Sequence, residues 1–300
     1  MDLLEFNKVT KLYNKFKALD EVTFKVNSGE IVGFVGPNGA GKTTSIKIAA
    51  GILKPTKGDV LIDGLSVISK KVESSKRIGW VPEIPVFESD WKAIDYFKYL
   101  AGYHGISGKQ AEILAKELLS QVNIWESSNK KLKDFSQGMK KRFALAVSMI
   151  SNPQNYLFDE VLNGLDPEGI AFFREKAKEF KKSNCSVLFS SHILSEVEAI
   201  ADKVVLINKG KILAIKTIDE IKSEAKIALR VVVENPDEKL IDVLSSFGKV
   251  NRINNNSFDL DTNANPSEVN AALVKLGYKV SEINKSGGLE EYFMRLTKGD

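Results

Sequence analysis

Hydrophobic positions in the first part of the chain come in short clusters separated by turn residues. Leu3-Leu4-Glu5-Phe6 and Val22-Thr23-Phe24-Lys25-Val26 cluster or alternate β-formers, and Asn27-Ser28-Gly29 ends the second group. Ile31-Val32-Gly33-Phe34-Val35 is a compact apolar run, the pattern of a strand buried on both faces. A glycine-rich loop follows it, then a helical stretch from Lys42 to about Ala50, and Val60-Leu61-Ile62 predicts a strand that stops at Asp63-Gly64. From about Trp91 to Met149 the spacing is helical, with Ile113, Leu114, Glu117, Leu118 and Val122 at helical intervals. Beyond Pro153 strand patterns return at Asn155–Phe158, Ser186–Phe189 and Val204–Ile207. A helix separates each pair, as in a parallel sheet with crossover helices. Asn208-Lys209-Gly210 predicts a hairpin turn into Ile212-Leu213-Ala214.

The end of the chain follows another rhythm. It reads as strand (Ile227 to Val233), helix (Asp237 to Phe247), strands (Val250 to Ile253 and Phe258 to Asp261), helix (Pro266 to Leu276), strand (Tyr278 to Ile283) and a last helix from Leu289. That is the β-α-β-β-α-β order of a ferredoxin-like domain. Two domains are therefore expected, residues 1–222 and 226–300, with the boundary near Glu220 to Lys226.

Composition adds exclusions. The 300 residues are 43% hydrophobic and 27% charged, ordinary for a globular chain. The 43 cations against 39 anions leave a net charge of +4, no nucleic-acid footprint. The single Cys185 rules out an internal disulfide framework and fits a reducing compartment. The longest charge-free run, Phe143 to Phe158, is broken by Asn152-Pro153-Gln154-Asn155, so no segment is expected to span a bilayer. Asp2 and Glu5 are unlike a signal peptide.

The chemistry begins at Gly36-Pro37-Asn38-Gly39-Ala40-Gly41-Lys42-Thr43, which fits G-x-x-x-x-G-K-[ST] between a buried-type strand and a helix. Glycines let backbone N–H groups turn toward phosphate oxygens, and the helix N-terminus adds partial positive charge. Lys42 is positioned to neutralise β- and γ-phosphates, and the Thr43 hydroxyl to ligate Mg2+. Asn208-Lys209-Gly210-Lys211 superficially matches a guanine-reading motif, but Lys211 cannot accept hydrogen bonds from guanine. A second acidic signal is Asp159-Glu160, at the tip of Asn155-Tyr156-Leu157-Phe158. One carboxylate there can hold Mg2+ while its neighbour orients water. Phe135-Ser136-Gln137-Gly138-Met139 opens a basic helix upstream; Asn163-Gly164-Leu165-Asp166-Pro167 follows directly, and His192 lies downstream at a strand end.

Together these motifs resemble the ATP-binding cassette (ABC) ATPases over about residues 1 to 222. The resemblance implies an α/β fold: a P-loop NTPase cassette with a mixed sheet and an inserted helical subdomain at about 84–150. The small α+β ferredoxin-like domain completes the chain. It further implies that Tyr13 stacks on adenine, with Phe16 as the other local aromatic, and that the phosphate loop runs from Gly36 to Thr44. Asp159 matches the Walker B acid and Glu160 the catalytic base; Ser136 and Gly138 match the signature loop. Asp166 matches the loop crossing the dimer interface, and His192 the histidine that touches the γ-phosphate. Three departures from the family pattern stand out. Gln137 and Met139 replace a glycine and a glutamine of the signature, Glu83 stands where a glutamine is usual near Mg2+, and Val161 replaces a proline. His104 and Cys185 carry no motif and read as structural.

The implied mechanism needs ATP and Mg2+ as cofactors and a second ABC ATPase subunit, as homodimer or heterodimer, because the signature loop caps the partner's nucleotide. The implied work is to drive an integral-membrane permease, with the chain cytoplasmic and peripheral on the inner face of the cell membrane. The alternative is a soluble ABC ATPase acting on a ribosome or nucleic-acid complex; direct nucleic-acid contact is not expected. Trp80, Phe87, Trp91, Tyr96, Phe97, Tyr99 and Tyr103 crowd the entry to the helical subdomain. They read either as its core or as a groove for a permease helix. The ending Leu289-Glu290-Glu291-Tyr292-Phe293-Met294-Arg295-Leu296-Thr297 resembles stand-alone cassettes of the export-type class called ABC-2.

Overall fold

Alternation at the N-terminus runs further than the short apolar clusters suggest. The computed structural model describes residues 2–224, 228–262, 264–286 and 288–298. In it β1 (Asp2–Tyr13) and β2 (Phe16–Asn27) are antiparallel strands of 12 residues each. Bulges hide them from a period-two reading. Leu4 and Phe6 are buried, the register shifts at Lys8 (φ +46°), and Val9 is the next buried side chain. In β2 the same break falls at Glu21 (φ +52°), between buried Leu19 and buried Val22.

Next come β3 (Ile31–Val35), buried at every position as its pattern predicts, and α1 (Lys42–Ala49). Then β4 (Lys57–Ile62) and β5 (Leu65–Ser66) complete an antiparallel sheet ordered β2-β1-β4-β5. Gly58 in β4 faces the β1 bulge with φ +77°, and a Cβ there would lie 2.2 Å from the Lys8 carbonyl oxygen. Strained φ and a backbone clash together cost about 1–3 kcal/mol. Gly58→Ala is therefore expected to lower the melting temperature by about 5 °C, measured by calorimetry, with nucleotide affinity at 20 °C unchanged.

After α2 (Lys71–Ser75) and β6 (Ile78–Val81) come three helices, α3 (Ala93–Gly102), α4 (Gly108–Gln121) and α5 (Gln137–Ser148). Phe143 of α5 collects the rings of Phe87, Tyr96, Phe97 and Phe135. The aromatic cluster thus divides: Phe97 is fully buried, whereas Trp91, Tyr99 and Tyr103 are exposed. The helix expected from the spacing of Ile113 to Val122 is present as α4, and its buried face is a different one. Ile113 is 59% exposed, and the buried stripe of α4 is Ala111, Ala115, Leu118 and Leu119. Side chains two apart on a helix face different ways, and the alanines give α3 and α5 close access.

The chain then alternates through β7 (Asn155–Asp159), α6 (Pro167–Lys182), β8 (Ser186–Ser191), α7 (Leu194–Ile200), β9 (Lys203–Asn208) and β10 (Lys211–Thr217). The six-stranded sheet is ordered β10-β9-β3-β8-β7-β6, and β9 through β6 in that order are parallel. One core joins both sheets, with Phe24 4.3 Å from Phe6 and 5.3 Å from Phe34 between ring centroids.

The chain divides into two compact units, Met1–Lys216 and Thr217–Asp300. The second holds α8 (Ile218–Glu224), β11 (Ala228–Glu234), α9 (Glu238–Ser245), β12 (Lys249–Arg252), β13 (Ser257–Asp261), α10 (Pro266–Lys275), β14 (Lys279–Ser286) and α11 (Leu289–Lys298). Lys226 and Ile227, named above for the boundary and the first strand, lie outside the described residues. The antiparallel order β12-β13-β11-β14 is that of a ferredoxin-like sheet. Leu229, Val231 and Val233 alternate into a core closed by Leu240 and Leu244 of α9 and Val269 and Leu273 of α10. Among the described residues no helix is long and apolar enough to cross a membrane.

Candidate active site

Parallel strands end at the same edge of a sheet, and three of these strands deliver polar residues there. β3 runs into the loop Gly36–Gly41; β7 stops at Asp159 and Glu160; its neighbour β8 stops at Ser190 and Ser191, followed by His192. In the strand register Asp159 lies opposite Ser190 and Val35 opposite Ser191.

The loop is held as a cradle. Gly41, at φ +113° before α1, leaves no room for a Cβ, which would lie 2.6 Å from Leu19 Cδ2. Ala40 is buried, and its N–H donates to the Pro37 carbonyl at 3.1 Å. Lys42, 5% exposed, curls back over the loop. Its Nζ donates to the Gly36 carbonyl at 2.7 Å and the Pro37 carbonyl at 3.2 Å. The same ammonium lies 3.1 Å from Glu160 Oε1. Glu160 Oε2 lies 3.0 Å from His192 Nδ1, where an N–H on that nitrogen orients the imidazole. One buried carboxylate thus ties the phosphate-loop lysine to the strand-end histidine.

Beside it, Asp159 accepts from the Thr43 hydroxyl at 3.1 Å and from the Ser190 hydroxyl at 2.8 Å. The Ser190 oxygen in turn accepts the Glu160 backbone N–H at 2.9 Å. Burial pushes the Asp159 carboxyl above the usual carboxylate range; the two hydroxyl donors oppose that, and Glu160 and Glu83 add to it. A divalent cation would reverse this, and the Thr43 hydroxyl with the Asp159 carboxylate is the hard-oxygen donor set Mg2+ takes when phosphates supply the rest. Glu83, exposed at the cavity rim, accepts from Asn163 Nδ2 at 3.5 Å.

A cavity of about 360 Å3 joins these groups. Asn38, Gly39, Lys42, Thr43 and Thr44 line it together with Glu160, Glu83 and His192, and so do Tyr13 and Phe16 from the tip of the β1–β2 hairpin. Tyr13 and Phe16 are 45% and 64% exposed, so flat apolar faces are offered to a planar ring. Ser136, Gly138 and Asp166 do not line this cavity. They gather elsewhere: Ser136 caps α5 by accepting the Met139 N–H at 3.2 Å, and Asp166 caps α6 by accepting the Gly169 N–H at 2.9 Å. A Cβ on Gly138 would sit 3.7 Å from Leu165 Cδ2, so the two caps are neighbours.

Three contributors escape a reading of motifs. Ser190 is signalled only by polarity at the end of an apolar strand, and Asn163 only by its place in a loop motif. Lys141 gives no signal of its own, standing in the basic helix that Ser136 opens.

A protein-family model described as ABC transporter matches residues 19–163. The chain is 31% identical over 304 residues to the uncharacterized ABC transporter ATP-binding protein YhcH of Bacillus subtilis, covering 98% of this chain and 96% of that protein. It is also 31% identical to the bacitracin transport ATP-binding protein BcrA of Bacillus licheniformis, over 99% of this chain and 98% of that one. A solved structure titled as the ATP-binding subunit of an ABC transporter superposes with a TM-score of 0.68 at 30% identity, covering 74% of this chain and 92% of the other. Identity sustained at that level from end to end makes this chain a member of the ABC transporter ATP-binding protein family, the ATP-binding subunit of such a transporter.

Proposed function

We propose that the chain hydrolyses ATP with Mg2+ between two copies of the cassette, or between this cassette and a relative, and so drives a separate membrane permease. The observation that carries the reading is Glu160, held between Lys42 and His192 over the phosphate loop. Tyr13 stacks on the adenine ring, with Phe16 beside it. The backbone from Gly36 to Thr44 and the Lys42 ammonium bind the phosphates. Glu160 takes the proton of the attacking water, and His192 both holds that carboxylate and meets the γ-phosphate. Thr43 and Asp159, with Glu83 near them, would hold Mg2+, which would neutralise charge on the phosphate oxygens. Removing one such preorganised group costs on the order of 3 kcal/mol in the barrier.

Ser136, Gly138 and Asp166 are the reason for a second chain. Lying together but away from the cavity of their own chain, they suit the nucleotide of a partner, related by a two-fold axis. ATP then favours the closed pair because these contacts exist only there. The transport relatives favour a permease over a ribosome or nucleic-acid complex as the machine being driven, with the chain on the inner face of the membrane. Exposed Trp91, Tyr99 and Tyr103 suit a permease helix. The bacitracin transport relative shares the C-terminal unit as well as the cassette, which supports export-type work.

The test is ATP turnover of the purified chain against its own concentration, with and without Mg2+. Turnover per chain that rises with concentration and disappears in EDTA is expected. A monomeric ATPase whose specific activity is independent of concentration would overturn the two-chain site.

A further inference from the structure

Lys141 is 3% exposed in α5, a helix whose other basic residues reach solvent or a neighbour's surface. A buried ammonium must find acceptors or it destabilises the fold. Its Nζ donates to the carbonyl oxygens of Val161 at 2.8 Å and Asn163 at 2.5 Å. Those carbonyls belong to the turn that leaves Glu160. Glu160 itself adopts φ +48°, a left-handed conformation that a non-glycine residue keeps only where the surroundings enforce it. On its N-terminal side the enforcement is the Ser190 hydroxyl, which accepts the Glu160 N–H at 2.9 Å. On the C-terminal side the turn is closed by the Asn163 N–H donating to the Glu160 carbonyl at 3.1 Å, and across that turn lies the Lys141 clamp. Burial pushes the Lys141 ammonium below the usual lysine range, and the Glu83 and Glu160 carboxylates oppose that.

We propose that Lys141 is a positioning residue for ATP hydrolysis: by clamping the Val161–Asn163 turn it holds Glu160 in its left-handed conformation and keeps the carboxylate aimed between Lys42 and His192. The proposal rests on Glu160 being the base. It also gives α5, which opens at Ser136, a direct hold on the backbone beside that base. Lys141 does not line the cavity, and it acts only through Glu160.

The test compares Lys141→Met, which keeps length and loses the donors, with Lys141→Arg, which keeps charge and donors, in the full chain. Lys141→Met is expected to lower kcat about 10- to 100-fold, the usual size for loss of a supporting group, while KM and calorimetric ATP affinity stay within about threefold. Lys141→Arg is expected to recover most of kcat. In a Glu160→Gln background Lys141→Met is expected to change the residual rate by less than about twofold, because residues acting as one unit are not additive. A Lys141→Met protein with wild-type kcat overturns the proposal and leaves Glu160 standing. So does an equal further loss in the Glu160→Gln background, the mark of a structural role. Wild-type turnover by Glu160→Gln alone overturns the base assignment instead. If Lys141→Met does not fold, Lys141→Gln, which keeps a single amide donor group, carries the same comparison.

Discussion

Glu160→Gln is expected to lower steady-state ATP turnover by about 10²- to 10⁴-fold, the range for loss of a general base, while ATP binding survives. The substitution is nearly isosteric, and the amide oxygen can still accept from Lys42, 3.1 Å away in the native pair. What disappears is the proton acceptor and the negative charge. Lys42 then has no ionic competitor for phosphate, so affinity is expected to hold or rise, and the closed pair of chains to persist in ATP. Phosphate release, fluorescent-nucleotide titration and sizing in ATP read the three quantities separately. Hydrolysis at the wild-type rate would move the base elsewhere in the cavity.

Lys42→Met is expected to act in the opposite order, on binding first. Lys42 and Glu160 have side chains only 6% and 7% exposed, so removing the cation leaves a buried carboxylate with only His192 beside it. Breaking a buried pair from one side costs about 3–5 kcal/mol, and the charge-assisted contacts to phosphate are lost as well. ATP affinity is expected to fall by about 100-fold or more, with turnover undetectable even at saturating ATP. Lys42→Arg is expected to rescue little, because a planar guanidinium cannot pass between the Gly36 and Pro37 carbonyls as a single ammonium does. Calorimetric titration of both variants with ATP measures this; affinity within threefold of wild type would remove Lys42 from the phosphate site.

What the sequence discloses is whatever lies within a few consecutive residues. The loop from Gly36 to Thr43 is legible because backbone, lysine and hydroxyl arrive in one run between a strand and a helix. Asp159-Glu160 is legible because a strand ends in acid. The Lys42–Glu160 pair, the Ser190 hydroxyl beneath Asp159 and the Lys141 clamp are not, because each joins residues that only strand order brings together. The fold shows the same division. The buried strand Ile31–Val35 announces itself, while β1 and β2 are half hidden by bulges that reset their parity. Ile113 misleads because alanines, which carry little apolar signal, form the buried face of α4.

The strand order has one more consequence, in time. β3, which launches the phosphate loop, has β8 and β9 as its sheet neighbours, and both are made long after it. At about 5–20 residues per second of synthesis, Val35 waits roughly 8–30 s before Ser191 emerges to pair with it. Through that interval the strand that launches the phosphate loop lacks both of its sheet neighbours. The catalytic edge, as the sheet pairs it, is complete only when β8 stands between β3 and β7.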